Sequence, residues 1–208
     1  MQKKPILTVF AGPNGSGKST VTSKYPLPEY YVNADEIERQ CNCTQLEAAK
    51  IAENTREYLL AQKESFAFET VLSTDRNINL IRRAKAAGYY IVVVFITTNN
   101  PSINIRRVQA RIAAGGNKVD LEKIEPRYWR ALRNIKAVYP YCDEFTLWDN
   151  SDERGSSGPD CIAEYYSGNV QPRIHPTRNW TAKKIRELFR IVSIVFRKFN
   201  FCRSAAVS

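Results

Sequence analysis

A chain of 208 residues, 43% hydrophobic and 11% aromatic, is long enough for one domain with a full core, too short for a second independent core, and not composed like a disordered chain. Its 31 basic and 21 acidic residues give a formal net charge of +10, which points to a polyanionic partner, either nucleic acid or a phosphate-bearing small substrate. No apolar run reaches bilayer length and the first residues lack the apolar core of a secretory signal, so a soluble cytoplasmic protein is expected.

Residues 6–11 are short, apolar and partly β-branched and end at a glycine, which predicts a buried strand. A helix is expected to start at Lys18, and residues 30–32 read as a second strand ending at Asn33-Ala34-Asp35. Thr44 and Glu47 have the spacing of a capping box and open a helix to about Lys63, with Leu46, Ala49, Ile51, Tyr58 and Leu59 available for its apolar face. Residues 66–68 predict a third strand with Glu69-Thr70 at its end. Residues 76–87 are helical and close at Gly88, and residues 89–97 predict a strand apolar on both sides. Pro101 starts another helix that Gly115-Gly116 end. Residues 120–138 are helical, with Pro126 as a kink or break, and residues 145–148 form a last core strand. Residues 162–166 and 170–174 flank Ser167-Gly168-Asn169 as a hairpin, residues 181–197 form a terminal helix, and residues 200–208 are expected to be disordered.

Apolar strands alternating with helices predict an α/β protein, a three-layer αβα fold on a mainly parallel sheet. Residues 1–177 form the domain, and residues 178–208 form a basic C-terminal segment. Ligands bind such sheets at the C-terminal edge of the strands, which puts Gly12, Asp35, Glu69 and Asp149 on one rim. The five cysteines are odd in number and scattered, so reduced thiols are expected rather than a disulfide framework or a zinc site. His175, the single histidine, is read as structural.

Gly12-Pro13-Asn14-Gly15-Ser16-Gly17-Lys18-Ser19-Thr20 matches G-x-x-x-x-G-K-[ST] in full, between a strand and a helix. Glycines let backbone N–H groups curve around phosphate oxygens, and the helix start adds positive dipole. Lys18 reaches the β- and γ-phosphates and the Ser19 hydroxyl ligates Mg²⁺, so ATP and Mg²⁺ are the expected ligands. Asn117-Lys118-Val119-Asp120 spells the guanine-recognition string N-K-x-D, but it lies between two helices rather than at the end of a late core strand, and it is read as coincidence.

Three further stretches belong with the loop. They are Asn33-Ala34-Asp35-Glu36-Ile37, Phe68-Glu69-Thr70-Val71-Leu72-Ser73, and Arg111 through Gly115-Gly116-Asn117-Lys118-Val119 to Arg127-Tyr128 and Arg130. Together, over about residues 6–148, they resemble the zeta-toxin family of P-loop kinases. The resemblance implies a phosphotransferase acting on a hydroxyl of a small molecule, in the best-known members UDP-N-acetylglucosamine. It implies Asp35 as general base, with Glu36 its nearest rival. Asn33 and Thr70 would lie on the acceptor side, Glu69 would contact the acceptor or a magnesium-bound water, and Lys18 and a helical lid carrying Arg111, Arg127 and Arg130 would surround the phosphoryl group. An alternative from another class is a regulatory nucleotide-binding module, or a toxin held by an antitoxin protein as its partner. The region after residue 148 has no counterpart in the toxins, and it is the expected neighbourhood of the adenine. A nucleic-acid end kinase ranks lower because no aromatic-rich motif with interleaved basic residues is evident, and no membrane partner is expected.

Overall fold

The central strands are apolar on both sides because helices cover both faces of the sheet they form. The computed structural model describes residues 4–117, 119–152, 158–169 and 171–189. In chain order it runs β1 (Ile6–Ala11), α1 (Lys18–Thr22), β2 (Tyr30–Val32), α2 (Ala34–Cys41), α3 (Gln45–Gln62), β3 (Phe66–Thr70), α4 (Asp75–Ala86), β4 (Tyr90–Thr97) and α5 (Pro101–Ala113). It continues through a 3-10 turn (Leu121–Lys123), α6 (Ile124–Val138), a second 3-10 turn (Tyr139–Tyr141), β5 (Glu144–Asp149), β6 (Asp160–Tyr166), β7 (Arg173–Ile174) and α7 (Ala182–Phe189). The sheet order is β2-β3-β1-β4-β5-β6-β7. β1 to β5 are mutually parallel, and β6 and β7 add antiparallel at one edge.

Strand alternation divides the core in two. Leu7, Val9, Phe66, Phe68, Ile91, Val93, Phe95, Phe145 and Leu147 face the larger cluster. Phe10, Ala67, Val94 and Ile96 face a smaller one, closed by Val21 of α1 and by Tyr25, whose ring packs edge-on against Phe10 at 5.3 Å. β1 lies at the centre of the parallel strands, so the loop that follows it opens midway along their C-terminal rim.

Most predicted elements are present, with four differences. Helix α2 was not expected; Asn33 caps it by accepting from the Asp35 N–H at 2.9 Å, so the stretch carrying Asp35 is a first helical turn. Helix α3 starts at the expected capping box, but it buries Ala48, Ala52, Arg56 and Leu59 rather than the expected face. Of that face only Leu59 is buried; Leu46 and Tyr58 are 66% and 64% exposed, and Ala49 and Ile51 are exposed too. The small side chains let α3 approach closely, and the Arg56 guanidinium lies 5.2 Å from the Phe68 ring centroid. The expected helix over residues 120–138 begins as a 3-10 turn capped by Asp120, and Pro126 falls in the first turn of α6, where its missing N–H removes no helical bond.

The fourth difference concerns the C-terminal segment. Trp180, Ile185 and Phe189 belong to the larger core cluster, so residues 178–189 pack on the domain instead of standing apart as a basic segment. The rest of the predicted terminal helix, the predicted disordered end and hairpin residue Val170 lie outside the described residues.

Asp143 ties three elements at the opposite rim. Its carboxylate accepts from Lys85 Nζ at 2.6 Å and from the Ile91 N–H at 2.8 Å, and its carbonyl accepts from the Ser167 N–H. Replacing Asp143 with alanine is expected to cost about 2 kcal/mol of stability, since charge-assisted bonds and a strand-end N–H lose their acceptor together. A lowered urea midpoint at unchanged slope would report it.

Candidate active site

A loop that offers N–H groups to a ligand must be held by other means. The N–H groups of Asn14, Gly15 and Gly17 make no hydrogen bond among the described residues, and the loop is gripped through its carbonyls. Asn104 of α5 donates to the Asn14 carbonyl at 2.7 Å, and its own side-chain oxygen is fixed by the Thr98 hydroxyl. Asn150, just past β5, donates to the Ser16 carbonyl at 2.9 Å. These contacts account for two glycines. Gly15 has φ +74° and a Cβ there would stand 2.5 Å from the Asn104 carbonyl oxygen; Gly17 has φ +88° and its Cβ would stand 2.1 Å from Asn150 Nδ2. Ser16 Oγ and Asn14 Oδ1 are buried with no partner among the described residues, so the loop is polar inside and unsatisfied until something fills it. Helix α1 starts at Lys18 as expected, but it has only five residues, so the loop amides rather than a long helix dipole supply the positive field.

Lys18 Nζ folds back onto the carbonyls of Gly12 and Pro13 at 2.9 and 3.1 Å. Burial lowers its pKa, Glu69 and Asp35 oppose that shift, and Arg111 adds to it. All three side chains therefore act on one ammonium at the loop. Glu69, at the end of β3, is fixed in position: Tyr31 donates to its Oε1 at 2.6 Å and the Thr22 hydroxyl lies 3.1 Å from the same oxygen. Burial and this bond to a carboxylate raise the pKa of Tyr31 strongly, so it remains a donor across the physiological range. Asn33 Nδ2 in turn donates to the Tyr31 oxygen at 3.2 Å.

Asp35 is exposed and lines a cavity of about 340 Å³ together with Asn14, Glu38, Arg111, Lys123 and Arg127. Glu36 does not line it. The lid segment between α5 and α6 closes one side. Asn117 Nδ2 donates to Glu38 at 3.1 Å, and Arg111 reaches the Asn117 carbonyl at 3.4 Å. A Cβ at Gly116 would stand 2.7 Å from Arg111 Cγ, so the glycine leaves room for the arginine to pass. In the N-K-x-D string, Asn117 bonds α2 and Asp120 caps the 3-10 turn, both in this lid, while Lys118 lies outside the described residues.

The structure thus brings Lys18, Asp35, Glu69, Arg111 and Arg127 to one end of the sheet. Asn33 serves as a helix cap, and the buried Thr70 hydroxyl accepts from the Leu72 N–H at 2.9 Å and Asn77 Nδ2 at 2.8 Å, beneath the loop rather than in the cavity. Arg130 lines a different groove, between α6 and α7. Asp149 is on the rim as expected, where its carboxylate accepts from the Ser151 N–H at 3.1 Å. Asn104, Asn150 and Tyr31 were not singled out from the sequence, although Asn150 directly follows a strand end on the ligand rim. Part of the segment expected near the adenine, residues 153–157, lies outside the described residues.

For a divalent cation, the available donors are hard oxygens. Ser19 Oγ and Glu69 Oε2 have no partner among the described residues, and no group of three His, Cys, Asp or Glu side chains is found among them. That set suits Mg²⁺, which takes one or two protein oxygens and completes its shell with phosphate and water.

Comparison with known proteins gives three findings. The family described as "Zeta toxin" matches residues 24–153, a stretch that begins just after the phosphate loop. An uncharacterized protein of Haemophilus influenzae is 30% identical over 134 residues, which is 62% of this chain and 94% of that protein. Two solved structures share the fold at low identity. One is AvrRxo1-ORF1:-ORF2 with ATP, at TM-score 0.65 and 15% identity over 89% of this chain and 63% of the matched one. The other comes from the PezAT chromosomal toxin-antitoxin system of Streptococcus pneumoniae, at TM-score 0.58 and 17% identity over 90% of this chain and 79% of the matched one. This chain therefore spans less than two thirds of the AvrRxo1 chain it resembles.

Asn150→Ala is expected to leave the fold intact and weaken ATP binding about tenfold, because the loop loses one of its carbonyl anchors. Titration with a fluorescent ATP analogue, beside a thermal melt, separates the two effects.

Proposed function

Because the chain belongs to the zeta-toxin family, we propose that it is an ATP-dependent kinase that moves the γ-phosphoryl group to a hydroxyl of a small molecule, with a nucleotide sugar such as UDP-N-acetylglucosamine as the first acceptor class to test. One observation carries this reading: Lys18, Glu69, Asp35 and Arg111 converge at the phosphate loop, and Asp35 and Arg111 line the cavity beside it.

Each residue has a task that its position allows. The unpaired loop N–H groups hold phosphate oxygens, and Lys18 exchanges its two loop carbonyls for the β- and γ-phosphates. The partly desolvated ammonium gains most from an anionic partner. Bound Mg²⁺ supplies neutralisation of phosphate charge, with Ser19 and Glu69 as its protein donors. Tyr31 and Thr22 keep the Glu69 carboxylate in one orientation.

Asp35 takes the proton of the acceptor hydroxyl as that oxygen bonds to the γ-phosphorus and the bond to the bridging oxygen of ADP breaks. Arg111 and Arg127 face the same cavity and stabilise the charge that develops during transfer. The Asn117–Glu38 bond holds the lid segment against the helix that carries Asp35 and so closes one side of the cavity.

Purified protein incubated with Mg-ATP and a panel of nucleotide sugars, sugars and nucleosides is expected to yield one phosphorylated acceptor, read by ³¹P resonance or a mass shift. Asp35→Asn is expected to keep ATP affinity and lower turnover by about 10³-fold, within the range of general-base contributions. Lys18→Ala is expected to lose both tight ATP binding and transfer. Wild-type turnover in Asp35→Asn would remove Asp35 as the base, and ATP binding with no transfer across the panel would reject the kinase reading.

A further inference from the structure

Between α6 and α7 lies a groove of about 750 Å³, distinct from the cavity that Asp35 lines. Arg130, Arg133 and Lys136 reach it from α6 and Lys184 from α7, against one carboxylate, Glu187. Exposed cations are common on protein surfaces, and one alone signifies little. This group gathers three unpaired cations along one helix, beside a groove. Arg130, Arg133 and Lys136 have no hydrogen bond or ion pair among the described residues. On α4, by contrast, Arg76 and Arg83 are each paired with a glutamate of α3.

Aromatic rings interleave with these cations. Trp129 is 48% exposed although it is one of the largest apolar side chains of the protein. Its ring is braced edge-on by Tyr128 at 4.9 Å, and its N–H reaches Glu125 at 3.4 Å. Lys184 Nζ stands 4.0 Å over the ring of buried Trp180 and 3.5 Å from the Asn99 carbonyl. Burial lowers the pKa of Lys184 and the Asp149 carboxylate opposes that shift, so this cation is held partly desolvated with no carboxylate bonded to it among the described residues.

We propose that the α6–α7 groove is a binding site for single-stranded nucleic acid, without sequence preference and separate from the phosphate loop. A single strand asks for a track of cations for its phosphates and a fixed aromatic face on which a base can stack. Along α6, cations recur at every third residue and so follow one another at intervals of about 4.5 Å along the axis, while Trp129 supplies the ring. An acidic protein segment would also satisfy the cations, but it has no particular use for an exposed, braced indole. The net charge of +10 agrees with a polyanionic ligand larger than ATP.

The test is binding of fluorescein-labelled oligo-dT and oligo-U 12-mers to the full chain, over a range of salt concentrations and with Mg-ATP in excess. Wild type is expected to bind both, with log K falling linearly against log salt. The double variant Arg133→Gln/Lys136→Gln is expected to flatten that slope by about 1.4, at roughly 0.7 for each phosphate of a single strand that is no longer neutralised. Trp129→Leu is expected to lose about tenfold in affinity with the slope unchanged. All three substituted positions are solvent-accessible on α6, and a thermal melt checks that the fold is kept. The proposal is overturned if neither oligonucleotide binds at low salt, or if both variants bind as wild type does. It is also overturned if excess ATP displaces the strand, which would put it on the phosphate loop. Displacement of the strand by polyglutamate with an unchanged Trp129→Leu affinity would reassign the groove to an acidic protein.

Discussion

The phosphate loop keeps the N–H groups of Asn14, Gly15 and Gly17 out of hydrogen bonds among the described residues, and much of the site follows from that constraint. In an ordinary turn those donors would close hydrogen bonds within the chain. Here the loop is suspended by its carbonyl oxygens from two asparagine side chains, Asn104 on α5 and Asn150 after β5, and its first N–H is docked on the carbonyl of Thr70 at the end of β3. The end of β3, helix α5 and the residue after β5 thus set its shape. The glycines at 15 and 17 are the counterpart of this support: the asparagines come so close that no side chain fits.

The same suspension explains the electrostatics. Lys18 lies under the loop and bonds to two of its carbonyls, and its burial alone would push it towards neutrality. Glu69 and Asp35, from two different strand ends, compensate for that burial. Glu69 has little freedom, because Tyr31 and Thr22 both bond one of its oxygens and leave the other open. Asp35 is an exposed residue in the first turn of a capped helix, where a carboxylate is favoured by the free N–H groups around it. A rigid carboxylate beside the loop and a solvent-accessible one facing a cavity suit two different tasks, coordination and proton transfer.

The strong positive charge is unevenly used. Between α3 and α4, arginines and glutamates pair across the helices and hold the edge of the domain. Around the cavity that Asp35 lines, Arg111, Lys123 and Arg127 are balanced by Asp35, Glu38 and Asp120. The four cations of the α6–α7 groove share one lining carboxylate, Glu187. Arg127 and Arg130 are one helical turn apart on α6, yet they serve different cavities, because α6 is the wall between them.

Much was legible in the sequence because it depends on local chemistry. The G-x-x-x-x-G-K-S string, the β-branched run before it, the capping box at Thr44 and Glu47 and the glycine after α4 each carry their own structural instruction, and the parallel sheet follows from strands apolar on both faces. The buried face of α3 was misread because its core stripe is Ala48, Ala52, Arg56 and Leu59, while the larger apolar Leu46, Ile51 and Tyr58 are exposed. Which groups converge was decided by tertiary structure alone. Asn104 and Asn150 become loop anchors, Tyr31 becomes the brace of Glu69, and Arg130 parts from Arg127 because parallel strands end at a common rim and helices pack over it. Sequence spacing sets what each residue can do within one or two turns of its own element; the meeting of residues from separate strands and helices depends on distances that the local pattern does not contain.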